Sequence, residues 1–481
     1  MNIDRDQHTI CAVATPYGRG GISVIRISGE RALAIARALC LFVPEDMESH
    51  RVYYGLLVDQ ETKIEIDEVM FTFFAKGRSF TGENSVEISC HGNPVICERI
   101  LQNLTSLGAR IADRGEFTYR AFINGRIDLV QAESVLSLIE SQTKEASKVS
   151  LQQLKGELSK ALEKIETEIT WCLAHIEAGI DFSTEDIEVV DNSALRQKLI
   201  FVSKELEKLV HSYQQGRLLK EGVKVAFIGR PNVGKSSLLN RVVESDRAIV
   251  TDIPGTTRDV VSADTIFKDY KFSMLDTAGL RTDAEDAVEK IGIEKTKVAI
   301  QEADFLLFVL EGHQPLNKEE IEIFSTLDLT HTFILVNKMD LCETGTGTDK
   351  AKASETLLKP LFNCKNFKEL AHQEDFLKSQ VLQVSSFDKN ARNQILGDLL
   401  DKIKSQVNEN PVLLVQARHF ECLSSALQLV LSSLEILKTG AGNEFLALDL
   451  KQSLIALQEV LGKRFDDQIM DRVFKEFCIG K

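Results

Sequence analysis

Residues 223–243, VKVAFIGRPNVGKSSLLNRVV, constrain the fold more than any other stretch. VKVAFI reads as a buried strand and SLLNRVV as the start of a helix. Between them Gly229, Gly234, Lys235 and Ser236 fit the phosphate-loop pattern Gly-x4-Gly-Lys-Ser. Glycines let the backbone curl so that its N–H groups face phosphate oxygens, and the helix N-terminus adds positive potential. Lys235 is placed to reach the β- and γ-phosphates, and the Ser236 hydroxyl to bind Mg²⁺. Asn232, Val233 and Ser237 complete the loop's candidate contacts. A strand, tight loop and helix in this order belong in a mostly parallel sheet covered by helices.

Two further strand ends carry matching chemistry. DTAG, Asp276 to Gly279, follows KFSML: the carboxylate can hold the metal through water, and the Gly279 N–H can sense the γ-phosphate. NKMD follows TFILV and brings Asn337, Lys338 and Asp340. Asp340 offers two acceptors to the two donors on guanine's edge, whereas adenine would leave a buried carboxylate unpaired. The three motifs in this order specify a GTP site. Ser385 and Ser386 are weaker candidates for contact with the base, and Thr257 in GTTRD for a second Mg²⁺ hydroxyl. Leu280 stands where many small GTPases carry a water-orienting Gln, so hydrolysis is slow or another group orients the water. Asn232 is either a turn-forming residue or a ligand for a monovalent cation beside the phosphates.

The rest of the chain has a different texture. Residues 1–120 hold short β-like runs such as ISVIRIS and EVMFTFFA between Gly-rich turns. Residues 125–220 are Pro-free, with Leu151, Leu154, Leu158, Leu162, Ile165 and Ile169 forming one amphipathic stripe. Residues 222–400 alternate strands and helices, and after Pro411 the sequence is helical again, with a break at Gly440 and Gly442. The expected fold class is therefore multidomain α/β and α, with a P-loop GTPase domain inserted in a discontinuous helical domain. The expected boundaries are an N-terminal α+β domain 1–120, helical segments 121–218 and 410–481, and the G domain 219–409. Residues 341–380 read as a polar loop insertion.

At 481 residues the chain is too long for one core, and 43% hydrophobic with 27% charged residues fits a soluble globular class. A net charge of −15 argues against a protein that holds RNA by its own basic surface. No uninterrupted apolar run spans a bilayer, and MNIDRDQHTI has no export signal. Nine scattered Cys then read as reduced thiols in a cytoplasmic setting. Cys90 and His91 lack a second ligand pair and read as structural. The closing CIGK is not a prenylation box, because Gly480 and Lys481 do not suit one.

Taken together, ATPYGRGGISVIRISG (14–29), SFTGENSVEISCHGN (79–93), RGEFTYRAFINGRIDLVQAE (114–133), GRPNVGKSSLLN (229–240), IVTDIPGTTRD (249–259), DTAGLR (276–281) and the final CIGK resemble the MnmE (TrmE) family of tRNA-modification GTPases. The resemblance implies a folate-binding N-terminal domain through which the protein forms a homodimer. It also implies modification of the wobble uridine of certain tRNAs at carbon 5, in a heterotetramer-type complex with the flavoprotein MnmG (GidA). The implied cofactors are GTP, Mg²⁺, K⁺ and a tetrahydrofolate derivative, 5-formyl- or methylene-tetrahydrofolate. On the same ground Asn232, Thr251, Ile253 and Thr256 would hold K⁺, with 249–257 as the capping switch, and Thr251 and Thr257 would face the nucleotide. Glu289 in AVEKIGIE matches the family's water-organising glutamate and joins Lys235 and Cys478 as a candidate catalytic residue. Arg26, Glu87, Arg126 and Lys481 match the family's folate pocket, where cations suit the glutamate tail of the cofactor and a carboxylate suits the pterin's donor edge. Two rival readings share the nucleotide motifs. An Era-like ribosome-assembly switch would carry a basic RNA-binding module, and a septin-type filament former would not respond to K⁺.

Overall fold

The computed structural model describes residues 8–181, 192–243, 262–276, 299–341, 356–370, 373–405, 412–440, 442–464 and 467–481. The chain divides into two compact units: Met1–Glu140, Val149–His211 and Gln416–Lys481 form the first, and Ser141–Lys148 with Ser212–Val415 the second.

In the first unit six strands form one sheet: β1 (Ile10–Val13), β2 (Gly20–Ser28), β3 (Val52–Val58), β4 (Glu65–Phe74), β5 (Ser85–Gly92) and β6 (Arg110–Ile111), in the order β3-β4-β5-β2-β1-β6. All neighbours are antiparallel except β1 and β6. Alternate residues of β2 and β5, Ile25, Ile27, Val86 and Ile88, share a core with Ile35 and Leu39 of α1 (Ala32–Leu39) and with Ile100 and Leu104 of α2 (Pro94–Ser106). This is the period-two pattern of a sheet with one face covered. Asn93 caps α2 by accepting the Val95 N–H at 3.0 Å, and Pro94 sits in the first turn, where its missing donor costs nothing.

Helices α3 (Glu116–Ile123), α4 (Leu129–Glu140), α5 (Lys144–Leu154), α6 (Glu157–Asp181) and α7 (Asn192–Glu221) follow in sequence. The single stripe expected from Leu151 to Ile169 is in fact divided between α5 and α6. Gly156, at φ 80°, ends the first, and Gln131 Nε2 donates to the Leu154 carbonyl at 2.9 Å, satisfying one of its terminal acceptors. Leu158, Leu162, Ile165 and Ile169 are buried on α6, whereas Leu151 is exposed. Helices Ala417–Thr439 and Asn443–Leu461 pack on each other, their turn set by Gly440 in the left-handed region. Ala417–Thr439 is long and apolar enough to cross a bilayer by length and composition, the one such helix among the described residues. Its Leu423, Ala426 and Val430 are buried, and Ala426 O accepts from Ser453 Oγ of the neighbouring helix at 3.3 Å.

A buried ion cluster ties α4 to the start of that helix. Glu133 accepts from Arg418 Nε and Nη2, both at 3.1 Å, and lies 2.6 Å from His419 Nε2. Burial alone would push the Glu133 carboxyl up, but His419 and Arg418 outweigh it and hold it down at about 2.

The second unit carries β7 (Val223–Ile228), α8 (Lys235–Val243), β8 (Ser262–Phe267), β9 (Tyr270–Asp276), β10 (Phe305–Glu311), β11 (Thr332–Asn337) and β12 (Val381–Gln383). Its sheet order is β12-β11-β10-β7-β9-β8, parallel except for the β8–β9 hairpin. β10 and β11 are buried along their whole length, as strands covered on both faces must be. The expected loop insertion at 341–380 needs correction. Residues 356–370 and 373–379 form short helical segments, and Leu358, Leu361, Phe367 and Phe376 are buried in one cluster with Ile334 and Val336 of β11. The polar composition of 342–355 hid these apolar anchors, and that stretch lies outside the described residues.

Candidate functional site

β7 delivers the chain into the phosphate loop. Gly229 follows at φ 145°, and a Cβ there would lie 2.5 Å from the Val309 carbonyl oxygen, so only glycine lets the loop leave the strand against β10. Asn232 at φ 67° and Gly234 at φ 99° turn the backbone into α8, with Val233 anchored in the sheet core. Lys235 Nζ lies along the loop and donates to the carbonyls of Gly229 at 2.7 Å and Arg230 at 2.8 Å. Ser236 and Ser237 are exposed in the first turn of α8, where unpaired helix N–H groups favour an anion.

The NKMD segment arrives on β11, two strands over. Asn337 is 0% exposed and donates from Nδ2 to the Val233 carbonyl at 2.8 Å. A Cβ on Gly234 would fall 2.3 Å from that same nitrogen, which explains glycine at this turn. Lys338, at φ 60°, donates to the Asn232 carbonyl at 3.0 Å and pairs with Glu311. Asp340 is exposed, and its Oδ1 accepts from Ser385 Oγ at 2.7 Å. The sequence suggests a backbone contact of Ser385 with the base; the structure adds a hydrogen bond from its hydroxyl to the Asp340 carboxylate. In the same turn Phe387 donates its N–H to Ser385 Oγ at 3.3 Å and leaves its ring 79% exposed, a feature that no motif in the sequence marks. The arrangement offers anion-binding N–H groups at one end and a carboxylate for a purine edge at the other. Asp276 closes β9 opposite Phe227 of β7. Thr251, Ile253, Thr256, Thr257, Gly279, Leu280 and Glu289 lie outside the described residues.

The other candidates meet in the first unit. Arg26 and Glu87 are register partners on β2 and β5, and their side chains pair at 2.8 Å. The Arg26 guanidinium stands 5.7 Å from the ring centre of Phe117 and 5.9 Å from that of Phe80. Phe117 in turn donates its N–H to the Lys481 carbonyl at 3.2 Å, Gly115 donates to Cys478 O at 3.5 Å, and Ile479 bridges to Arg114. Arg126 is exposed beside Gly82, two residues beyond Phe80. Phe80 and Phe117 went unremarked in the sequence; their place inside SFTGENS and RGEFTY was the available signal. Cys478 is exposed. Cys90 is buried against Ser23 O, and His91 Nδ1 lies 2.7 Å from Asp67, with no metal-ligating cluster among the described residues.

The tRNA modification GTPase MnmE of Bdellovibrio bacteriovorus is 54% identical over 481 residues, covering 99% of this chain and 98% of that protein. The chain belongs to the MnmE family. Membership makes it a GTPase of tRNA modification. The MnmE helical domain model matches residues 129–478, and the model for the N-terminus of the GTP-binding protein TrmE matches residues 9–126. MnmE proteins of Lactiplantibacillus plantarum and Clostridioides difficile are each 37% identical and each cover 98% of this chain, with 98% and 99% of their own lengths matched. The MnmE helical match begins before the phosphate loop and ends after it, as an interrupted helical domain requires.

Proposed function

We propose that this chain hydrolyses GTP in a K⁺-dependent manner and, with the flavoprotein MnmG (GidA), modifies the wobble uridine of certain tRNAs at carbon 5. The group added is aminomethyl or carboxymethylaminomethyl, and its one-carbon unit comes from a tetrahydrofolate derivative. It acts in the cytoplasm as a homodimer joined through residues 1–120, with helical segments 121–218 and 410–481 around a G domain 219–409. The observation that carries this reading is the seat of the closing residues 478–481 on 114–117, beside the Arg26–Glu87 pair. A cationic side chain over an aromatic ring, with a carboxylate alongside, suits an aromatic cofactor that carries both donor edges and negative charge.

In the G domain Lys235 would move from the loop carbonyls to the β- and γ-phosphates, and Ser236 would hold Mg²⁺. Asn232, exposed in the loop at φ 67°, would offer its amide oxygen to K⁺. These cations supply neutralising charge when bound. Asp340, held by Ser385, would select guanine. Nucleoside analysis of tRNA from cells lacking this chain tests the reading: wobble uridines lose their carbon-5 group. Retention of full modification refutes it. Hydrolysis compared in KCl and NaCl tests the ion, and equal rates refute the K⁺ assignment.

A further inference from the structure

β10 is apolar until its last residue. Glu311 is 8% exposed there, and a buried carboxylate needs a reason. Its Oε2 accepts from Arg230 Nη2 at 2.8 Å, its Oε1 pairs with Lys338 Nζ, and His313 Nε2 stands 3.7 Å away. Arg230 is held a second time. Its Nε forms an ion pair with Glu320 Oε1 at 3.1 Å, and Nη2 also reaches Gln314 at 3.0 Å. Glu320 is 1% exposed and fixed by a reciprocal capping box with Asn317.

The consequence lies in the phosphate loop. Arg230 is its second residue, and Asn232, two further on, gives its carbonyl to Lys338. One buried carboxylate therefore grips the loop on both flanks, directly through Arg230 and indirectly through Lys338. Lys338 also belongs to the segment that carries Asp340. We propose that Glu311 is a positioning residue that locks the phosphate loop to the base-reading loop before nucleotide arrives, so that phosphate and base recognition act as one unit. Burial pushes the Glu311 carboxyl up, but Lys338, His313 and Arg230 outweigh it and keep it below the usual carboxylate range, so the grip is ionic.

The proposal rests on residues 229–236 and 337–340 being the nucleotide site, and the test separates the two. Fluorescent GDP is titrated into the full-length protein and into Glu311→Gln, Lys338→Ala and the double variant. Glutamine keeps the length but removes the charge and turns one oxygen into a donor facing two cations. The expected result is a roughly tenfold weaker Kd for Glu311→Gln, with Glu311→Asp recovering part of it. In the Lys338→Ala background the further loss should be smaller, because only the Arg230 flank then remains to be released. Wild-type affinity in Glu311→Gln, or losses that simply add, overturns the proposal. So does a lowered melting temperature without nucleotide accompanied by unchanged Kd. Failure of the wild type to bind GDP refutes the site itself. Arg230→Gln removes one flank only and serves if Glu311→Gln does not fold. It should weaken GDP severalfold, and unchanged binding counts against the idea.

Discussion

Lys481 and Phe117 are joined main chain to main chain: the carbonyl of the final residue accepts the Phe117 N–H at 3.2 Å. The link depends on Gly480, which sits at φ 93° and would place a Cβ 2.2 Å from the Val13 carbonyl oxygen. Gly480→Ala should release the closing residues, because a left-handed alanine costs about 1–2 kcal/mol before the clash is counted. Hydrogen exchange at the Phe117 amide should accelerate at least roughly tenfold. Basal GTP hydrolysis should not change. An unchanged exchange rate would mean that the glycine is dispensable for docking.

Removing Arg418 should be costly. Arg418→Ala leaves Glu133 with His419 as its remaining side-chain partner in the described contacts, and breaking a buried pair costs about 3–5 kcal/mol. Trp171, the one tryptophan of the chain, lies in α6 of the same unit and stacks on His175. Its fluorescence in a urea titration should report a lower midpoint.

Acid should act on the same cluster. Glu133 is held down at about 2 when folded, below the unfolded carboxylate value of about 4.3. A depressed carboxyl stabilises the fold above the unfolded value, and the benefit is lost as pH falls toward the folded one. Between about pH 4.5 and 2 the Trp171 transition should therefore weaken steadily, and Glu133→Gln should flatten that slope. An identical slope in the variant would assign acid sensitivity to other carboxylates.

Cysteine labelling should be selective. Burial pushes the thiols of Cys11, Cys40, Cys90 and Cys172 up to about 12, whereas Cys478 is exposed. Brief alkylation of native protein at pH 8 should mark Cys478 first among the described cysteines, because it is exposed while burial shields and disfavours the thiolates of the others. Peptide mapping by mass spectrometry checks this, and label on Cys11 or Cys40 before Cys478 would contradict it.

Replacing the phosphate-loop lysine should slow turnover sharply. Lys235→Ala is expected to lower GTP hydrolysis by roughly 10²–10³, the usual loss for one charge-stabilising donor. A colorimetric phosphate assay suffices, and a loss below tenfold would point to another cation at the phosphates.

Much of this was legible because the chemistry is local. The strand ends that carry Gly229, Asp276 and Asn337 announce themselves by an apolar run stopping at a special residue. The pairing of Arg26 with Glu87 was within reach only through resemblance, because a cross-strand register is not written in either strand. Glu311, Phe387 and the Glu133–Arg418 pair left no sequence signal. Glu311 and Glu133 derive their meaning from partners brought close by the fold, 27 residues away for Lys338 and Glu311 and 285 for Arg418 and Glu133. The division of the α5–α6 stripe is not visible in the leucine spacing, which runs on across Gly156, whereas the backbone there turns left-handed and ends α5.

That 285-residue span also bears on how the protein is made. When α4 leaves the ribosome, Glu133 has no cation to meet, and none arrives until residue 418 has been synthesised. The whole of 212–415 appears in the interval and can build its own sheet first. The helical unit is thus a lock whose halves are translated at different times. Any pause or truncation before Arg418 should strand a bare carboxylate and expose the apolar flank of α6, an invitation to chaperones that a finished inner module would not by itself remove.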